Sequence, residues 1–308
     1  MSDLILHHYA SSPFSEKVRL VLGMKGLGWR SVTVPVMLPK PDVVALTGGY
    51  RRTPFMQIGA DVYCDTALMC RVLDRLAPKP SLYPAESAGA ADIVAQWADT
   101  TFFWTAVPYT LQPAGAAHLH AGASPEFLKA FRDDRAAMTA GMRRPTLADA
   151  GVQLATYMDW LEHQLADERT FLMGATASIA DVAVAQSIWF IRRAPPVAAQ
   201  LARFERVLAW YERVAAFGHG SSTPMSSSEA LDVARAATTH ADTTVASGQA
   251  FAAGAPVTVT PTDYATDPVA GTLVGLDAVE VVVEREDARA GRVRVHFPRI
   301  GYQVKAQA

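Results

Sequence analysis

Along the first 80 residues the hydrophobic positions alternate between short continuous runs and a helical spacing. Leu4-Ile5-Leu6 is a three-residue apolar run that reads as a buried strand. After Ser11-Ser12-Pro13, the residues Phe14, Val18, Val21 and Leu22 recur at helical spacing, with Glu16, Lys17 and Arg19 on the other side. Gly26-Leu27-Gly28 ends that helix, and Trp29 to Val36 returns to a partly alternating, strand-like pattern. Residues 39–49, punctuated by Pro and Gly, read as a loop or short irregular helix. Pro54 to Ile58 and Val62-Tyr63-Cys64 flank Gly59-Ala60-Asp61, a hairpin signal, and Thr66 to Leu76 is helical again. The predicted order is β-α-β followed by β-β-α.

Beyond Pro84 the helical spacing takes over, with helices expected over 86–110, 125–140, 146–167, 178–193 and 197–216. Ser178-Ile179-Ala180-Asp181 has the spacing of a capping box, with Asp in place of the usual Glu or Gln. The apolar stretch Val182 to Ile191 after it predicts the buried centre of the bundle. Gly218-His219-Gly220-Ser221-Ser222-Thr223-Pro224 reads as a linker, and a short helix is expected from Ser228 to Ala237. Strand-like segments follow at 257–260, 272–274, 279–284 and 292–297. They predict a small antiparallel sheet or partly open barrel of about 60 residues. The expected organisation is an α/β domain at 1–80, an all-helical domain at 85–217, a linker at 218–228, and a helix plus β-rich domain at 229–308.

Composition narrows the class. Half of the 308 residues are hydrophobic and 19% are charged, a globular balance. The net charge of -2 gives no basic field to recruit nucleic acid or an anionic membrane surface. The aliphatic run near the start is too short for a signal-peptide core, and no stretch approaches the ~20 apolar residues of a membrane span. Cys64 and Cys70 sit in apolar surroundings, which suits a reducing compartment. A cytoplasmic protein with no membrane or nucleic-acid partner is expected.

Three places in the first 80 residues carry candidate chemistry. Pro13 at the first helical position makes Ser12 the N-cap, where backbone N–H groups favour an anion. A thiol held there ionises more readily, and a serine hydroxyl adds a hydrogen bond to the thiolate. Read alone, Ser-Pro is a common helix cap. Thr53-Pro54 lies between a loop and a strand and is a candidate cis bond beside backbone able to pair with an extended peptide. An ordinary trans-proline at a strand's first residue is the plainer reading. Asp65-Thr66 opens the next helix, where a carboxylate and a hydroxyl suit both charges of an amino-acid head group. Alone, Asp65 is a cap.

In this order and spacing the three places resemble the thioredoxin-like N-terminal domain of glutathione transferases. The stretch SPFSEKVRLVL is similar to the corresponding segment of the omega and related bacterial members, and the Ser178/Asp181 cap also matches the family. The resemblance covers residues 1 to about 217. It implies a thioredoxin-like α/β domain followed by an all-helical bundle, with the small antiparallel β domain as an addition that most members lack. It implies glutathione as co-substrate, with Ser12 as thiol activator, Ser11 second and Tyr9 third. Thr53 and Pro54 fall in its peptide-pairing loop, and Asp65 and Thr66 in its γ-glutamyl site. The family's usual pair there is Glu-Ser, so Asp65-Thr66 is one methylene shorter and β-branched. Serine rather than cysteine at 12 and 15 favours attack by glutathione on an electrophile over thiol–disulfide exchange.

The electrophile pocket is expected between the domains, among Phe102, Phe103, Trp104, Val107 and Tyr109, each of which is equally suited to helix core. His118 and His120 lack a nearby third ligand in sequence, so no metal is expected. The resemblance implies a homodimer and a detoxification-type role. The alternative is a non-catalytic binding or regulatory protein that uses the added β domain for interactions.

Overall fold

The structure is a computed structural model that describes residues 3–307. β1 (Leu4–His8) and β2 (Gly28–Thr33) pair in parallel across α1 (Pro13–Met24), with Leu6 opposite Ser31. After α2 (Pro41–Thr47), β3 (Phe55–Ile58) runs antiparallel to β1 and forms a hairpin with β4 (Asp61–Cys64). α3 (Thr66–Leu76) follows, which completes the order that the apolar pattern predicts. The ambiguous stretch 39–49 resolves as α2, closed by Gly48 in the left-handed region at φ 74°.

The polar side of α1 is not a solvated face. Glu16, Lys17 and Arg19 are all buried, because α1 packs on α9 (Ile179–Arg192) of the helical layer and on α3. Burial at this depth requires partners. Arg19 donates to Glu16 at 2.6 Å, and the Lys17 ammonium meets Asp99 at 2.5 Å.

The helical layer comprises α4 (Ala88–Trp97), α5 (Phe103–Thr110), α6 (Pro113–Leu119), α7 (Pro125–Met138), α8 (Leu147–Gln164), α9 (Ile179–Arg192), α10 (Pro195–Ala198) and α11 (Glu205–Ala215). The single helix expected over 86–110 contains a π-helical turn at Ala98–Phe102, a local widening often found at functional sites. α9 is the buried centre, as its apolar run predicts. Asp181 in its first turn accepts from Ser178 N–H, Leu172 N–H and Trp210 Nε1, each at 2.8 Å. Burial pushes its carboxyl pKa up against these hydrogen bonds.

The C-terminal strands extend the first sheet rather than forming one of their own. β5 (Ser221–Pro224) lies in the stretch read as a linker and pairs in parallel with β2. α12 (Ser227–Ala236) leads to β6 (Pro256–Pro261), β7 (Val269–Leu276), β8 (Glu280–Asp287), β9 (Gly291–Pro298) and β10 (Tyr302–Ala306). These five are antiparallel among themselves, and β9 then pairs in parallel with β4, with Tyr63 opposite His296. The result is one ten-stranded sheet in the order β10-β6-β7-β8-β9-β4-β3-β1-β2-β5. An unpaired edge on β4 would expose a row of backbone donors and acceptors, and β9 covers it.

A buried charge cluster fastens this joint. His296 is fully buried; its Nδ1 lies 2.9 Å from Glu280 and its Nε2 2.8 Å from Asp61. Burial alone would lower its pKa, but the two carboxylates outweigh it and the pKa is raised, favouring the imidazolium. Asp61 also accepts from Ala241 N–H at 2.8 Å, and Tyr63 packs its ring on His296 at 4.4 Å.

Candidate functional site

A cavity of about 490 Å³ opens where the first sheet, the helical layer and the C-terminal strands meet. Thr53, Pro54, Asp65 and Thr66 all line it, so the structure brings the second and third candidate places together. The Thr53–Pro54 peptide bond is cis. Ser12 caps α1, its Oγ accepting from Ser15 N–H at 3.2 Å and donating to the Thr53 carbonyl at 3.4 Å. The buried hydroxyl thereby stands beside the Thr53–Pro54 loop at a helix N-terminus. Ser11 is exposed, and its carbonyl accepts from Arg193. Tyr9 is half-buried and packs against the core.

Asp65 has φ 74° and ψ 131°, a conformation costing a non-glycine residue about 1–3 kcal/mol that is met mainly at binding and catalytic sites. Its Oδ1 accepts from Ala67 N–H at 2.9 Å. Thr66, at the first position of α3, receives a hydrogen bond from Lys17 Nζ at 3.3 Å. Asp99, set by the π-helical turn, holds that ammonium from the other side and accepts from Gln186 at 2.7 Å. Burial lowers the Lys17 pKa, but Asp99, with smaller contributions from neighbouring acidic groups, outweighs it and the pKa is raised. The floor of the site therefore carries the Lys17–Asp99 ion pair next to the N-terminus of α3, whose backbone N–H groups and Lys17 donors suit a carboxylate. Lys40, whose pKa burial pushes down to about 8, donates to the Arg51 carbonyl and to Thr53 Oγ1.

The aromatic residues expected to form the electrophile pocket are placed differently. Among the cavity's lining residues is Phe14 of α1, with Phe103 packed behind it at 4.6 Å. Trp104 packs edge-on against Tyr264, 5.1 Å away, which does line the cavity. Val107 is half-buried on α5 outside the lining. Tyr109 is buried in the bundle, its hydroxyl bonded to Gln200 at 3.0 Å. Phe102 stacks on Trp97 within the core. Pattern alone does not distinguish these roles, because α5 is apolar on several sides.

Several lining residues escape the sequence reading. Lys17 carries a weak signal, lying one helical turn beyond Pro13. Arg52 opens the Arg52-Thr53-Pro54 stretch singled out in the sequence, but Asp263, Tyr264 and Tyr302 carry no signal, since they come from a distant segment at the other end of the chain. Arg52 is paired with Asp263, donates to the Tyr264 carbonyl, and has the Tyr264 ring 3.8 Å from its guanidinium carbon. Tyr302 donates to Asp65 Oδ2 at 3.1 Å. Cys64 and Cys70 are free and buried, with burial pushing the Cys70 thiol up to about 12, so neither supplies a thiolate. Among the described residues no group of His, Cys, Asp and Glu is arranged to hold a metal ion, and no helix is long and apolar enough to cross a membrane.

A thioredoxin-like sheet bearing a cis-proline loop, set against a helical layer with a site between them, defines the class as glutathione transferase-like. Residues 6–81 match the glutathione S-transferase N-terminal domain and residues 144–213 the glutathione S-transferase C-terminal domain. A GST-like protein from Pseudomonas syringae is 40% identical, with a TM-score of 0.82 and 100% of both chains covered. That match includes the C-terminal strands. A glutathione S-transferase from Rhodospirillum rubrum is similar in fold at 19% identity, with a TM-score of 0.53 over 69% of this chain and 87% of that one. No curated protein matches the chain. The chain belongs to the glutathione S-transferase family.

Proposed function

We propose that the protein binds glutathione and activates its thiol for attack on an electrophilic small molecule. The observation that supports this reading is the meeting of Thr53, cis-Pro54, Asp65 and Thr66 on one cavity, with the Ser12 hydroxyl beside the loop at the N-terminus of α1. In this reading the γ-glutamyl carboxylate binds at the α3 N-terminus, above Lys17. The cysteinyl backbone pairs with Thr53. The sulfur then lies over the first turn of α1, where the helix dipole favours the thiolate. The thiol gives up its proton to solvent, and the Ser12 hydroxyl rotates from the Thr53 carbonyl to donate to the resulting thiolate, which attacks the electrophile. The bond to the electrophile's leaving group breaks and that group departs with the electron pair, or an activated double bond takes up the pair and is then protonated from solvent. Phe14, with Phe103 and Trp104 behind, supplies an apolar side for the electrophile. No metal takes part in this scheme. A homodimer in the cytoplasm belongs to the same proposal, and the two free thiols are consistent with a reducing setting.

A second reading, a non-catalytic binding protein, draws support from the contacts that Asp263 and Tyr302 make with the site. A panel of aryl halides, activated alkenes and β-aryl ethers, followed by loss of free glutathione, separates the two. The catalytic reading expects at least one electrophile to be consumed well above the uncatalysed rate. Saturable glutathione binding with no electrophile turned over supports the second reading.

A further inference from the structure

The C-terminal strands reach the site at Asp65, the residue to which the glutathione reading assigns the γ-glutamyl amino group. Asp65 has one carboxylate oxygen committed to Ala67 N–H and the other to the Tyr302 hydroxyl. The Tyr302 ring is held by Phe297, 5.4 Å away, and its hydroxyl lies 3.5 Å from that of Tyr50. Tyr302 also lines the cavity while almost fully buried, so the phenol is a fixed feature of the site. A phenol that donates to a carboxylate keeps its own lone pairs, and that donation strengthens it as an acceptor. An ammonium has three donors and is best satisfied by several acceptors around it. Next to this pair, Thr66 begins α3 above the Lys17 ammonium and suits an anion. A ligand carrying an ammonium and a carboxylate on one carbon fits both halves at once.

We infer that Tyr302 is a ligand-contact residue for the free α-amino group of the γ-glutamyl end, acting together with Asp65. The inference rests on the glutathione reading above. It gives the C-terminal strands a direct role in binding: they add a second acceptor beside the Asp65 carboxylate. The site then selects thiols with an unmodified α-amino group and rejects N-acylated ones.

Calorimetric titration of the full chain and of Tyr302→Phe with S-hexylglutathione and its N-acetyl derivative tests this. Phenylalanine keeps the ring contacts, and a melting curve confirms that the variant is folded. Wild type should bind the free-amine ligand about tenfold or more tightly than the N-acetyl one, as the loss of a hydrogen bond to a charged group implies. Tyr302→Phe should lose about tenfold toward the free-amine ligand and less than about twofold toward the N-acetyl ligand. Equal affinity of the two proteins for the free-amine ligand overturns the inference. So does an equal loss for both ligands, which would mean that Tyr302 only packs the wall. Wild type binding neither ligand overturns the glutathione reading along with the inference, an outcome distinct from the other two.

Discussion

Replacing Ser12 by alanine is expected to lower the turnover of bound glutathione by about 10²-fold or more, the usual cost of removing one donor to a reacting anion. Glutathione affinity should change by less than about threefold, because an interaction made chiefly with the thiolate is worth little to the thiol form. The two numbers come from initial rates at saturating glutathione and from direct titration. Ser12 also caps α1 through Ser15 N–H, so the substitution costs stability of about 1 kcal/mol. Rates measured well below the melting temperature keep that loss from imitating a catalytic one. Unchanged turnover would remove Ser12 from the mechanism. Tyr9 would then be the next to test, because Ser11 is exposed.

The largest expected loss of stability follows from His296→Leu. The imidazole sits between Asp61 and Glu280, with side-chain exposures of 1%, 6% and 17% for the three. Leucine fills most of the space but leaves two carboxylates facing each other with no cation between them. Breaking such a buried arrangement costs about 3–5 kcal/mol. Urea denaturation at pH 6 should register a loss in that range. The pH dependence has a definite sign. The folded-state pKa of His296 lies above its unfolded value, so its stabilisation is complete below the unfolded value of about 6.5. It is lost as pH rises through the raised folded value, because over that interval the folded protein binds the extra proton. The gap between wild type and variant should therefore narrow at alkaline pH. A difference under about 1 kcal/mol at pH 6 would mean that the cluster does not hold the joint between β4 and β9.

Much of the first 217 residues is legible in the sequence because their elements have local causes. Ser12-Pro13 sets the start of α1, Gly59 turns the β3–β4 hairpin at φ 61°, and Ser178 with Asp181 opens α9. The candidate glutathione-binding residues are legible for the same reason, since each sits at a strand or helix end marked by Pro, Asp or Thr. The placement of the C-terminal strands is not local. Their alternation predicts strands, but nothing in Arg292 to Phe297 tells that this strand will lie beside β4 rather than close a barrel. That choice is made by His296 meeting Asp61 across 235 residues. The buried state of Lys17 is hidden in the same way, because its partner Asp99 is aimed by a π-helical turn that periodicity does not reveal. Tyr302 follows from the placement of the strands and is invisible until they are docked.

The most direct test of the glutathione reading is isothermal titration of the purified protein with glutathione, with Asp65→Ala alongside. Saturable binding by the wild type, weakened about tenfold or more in the variant through loss of a charge-assisted contact, is the predicted result. No heat and no thermal shift at millimolar glutathione would contradict it, and would leave a transferase fold whose ligand has changed.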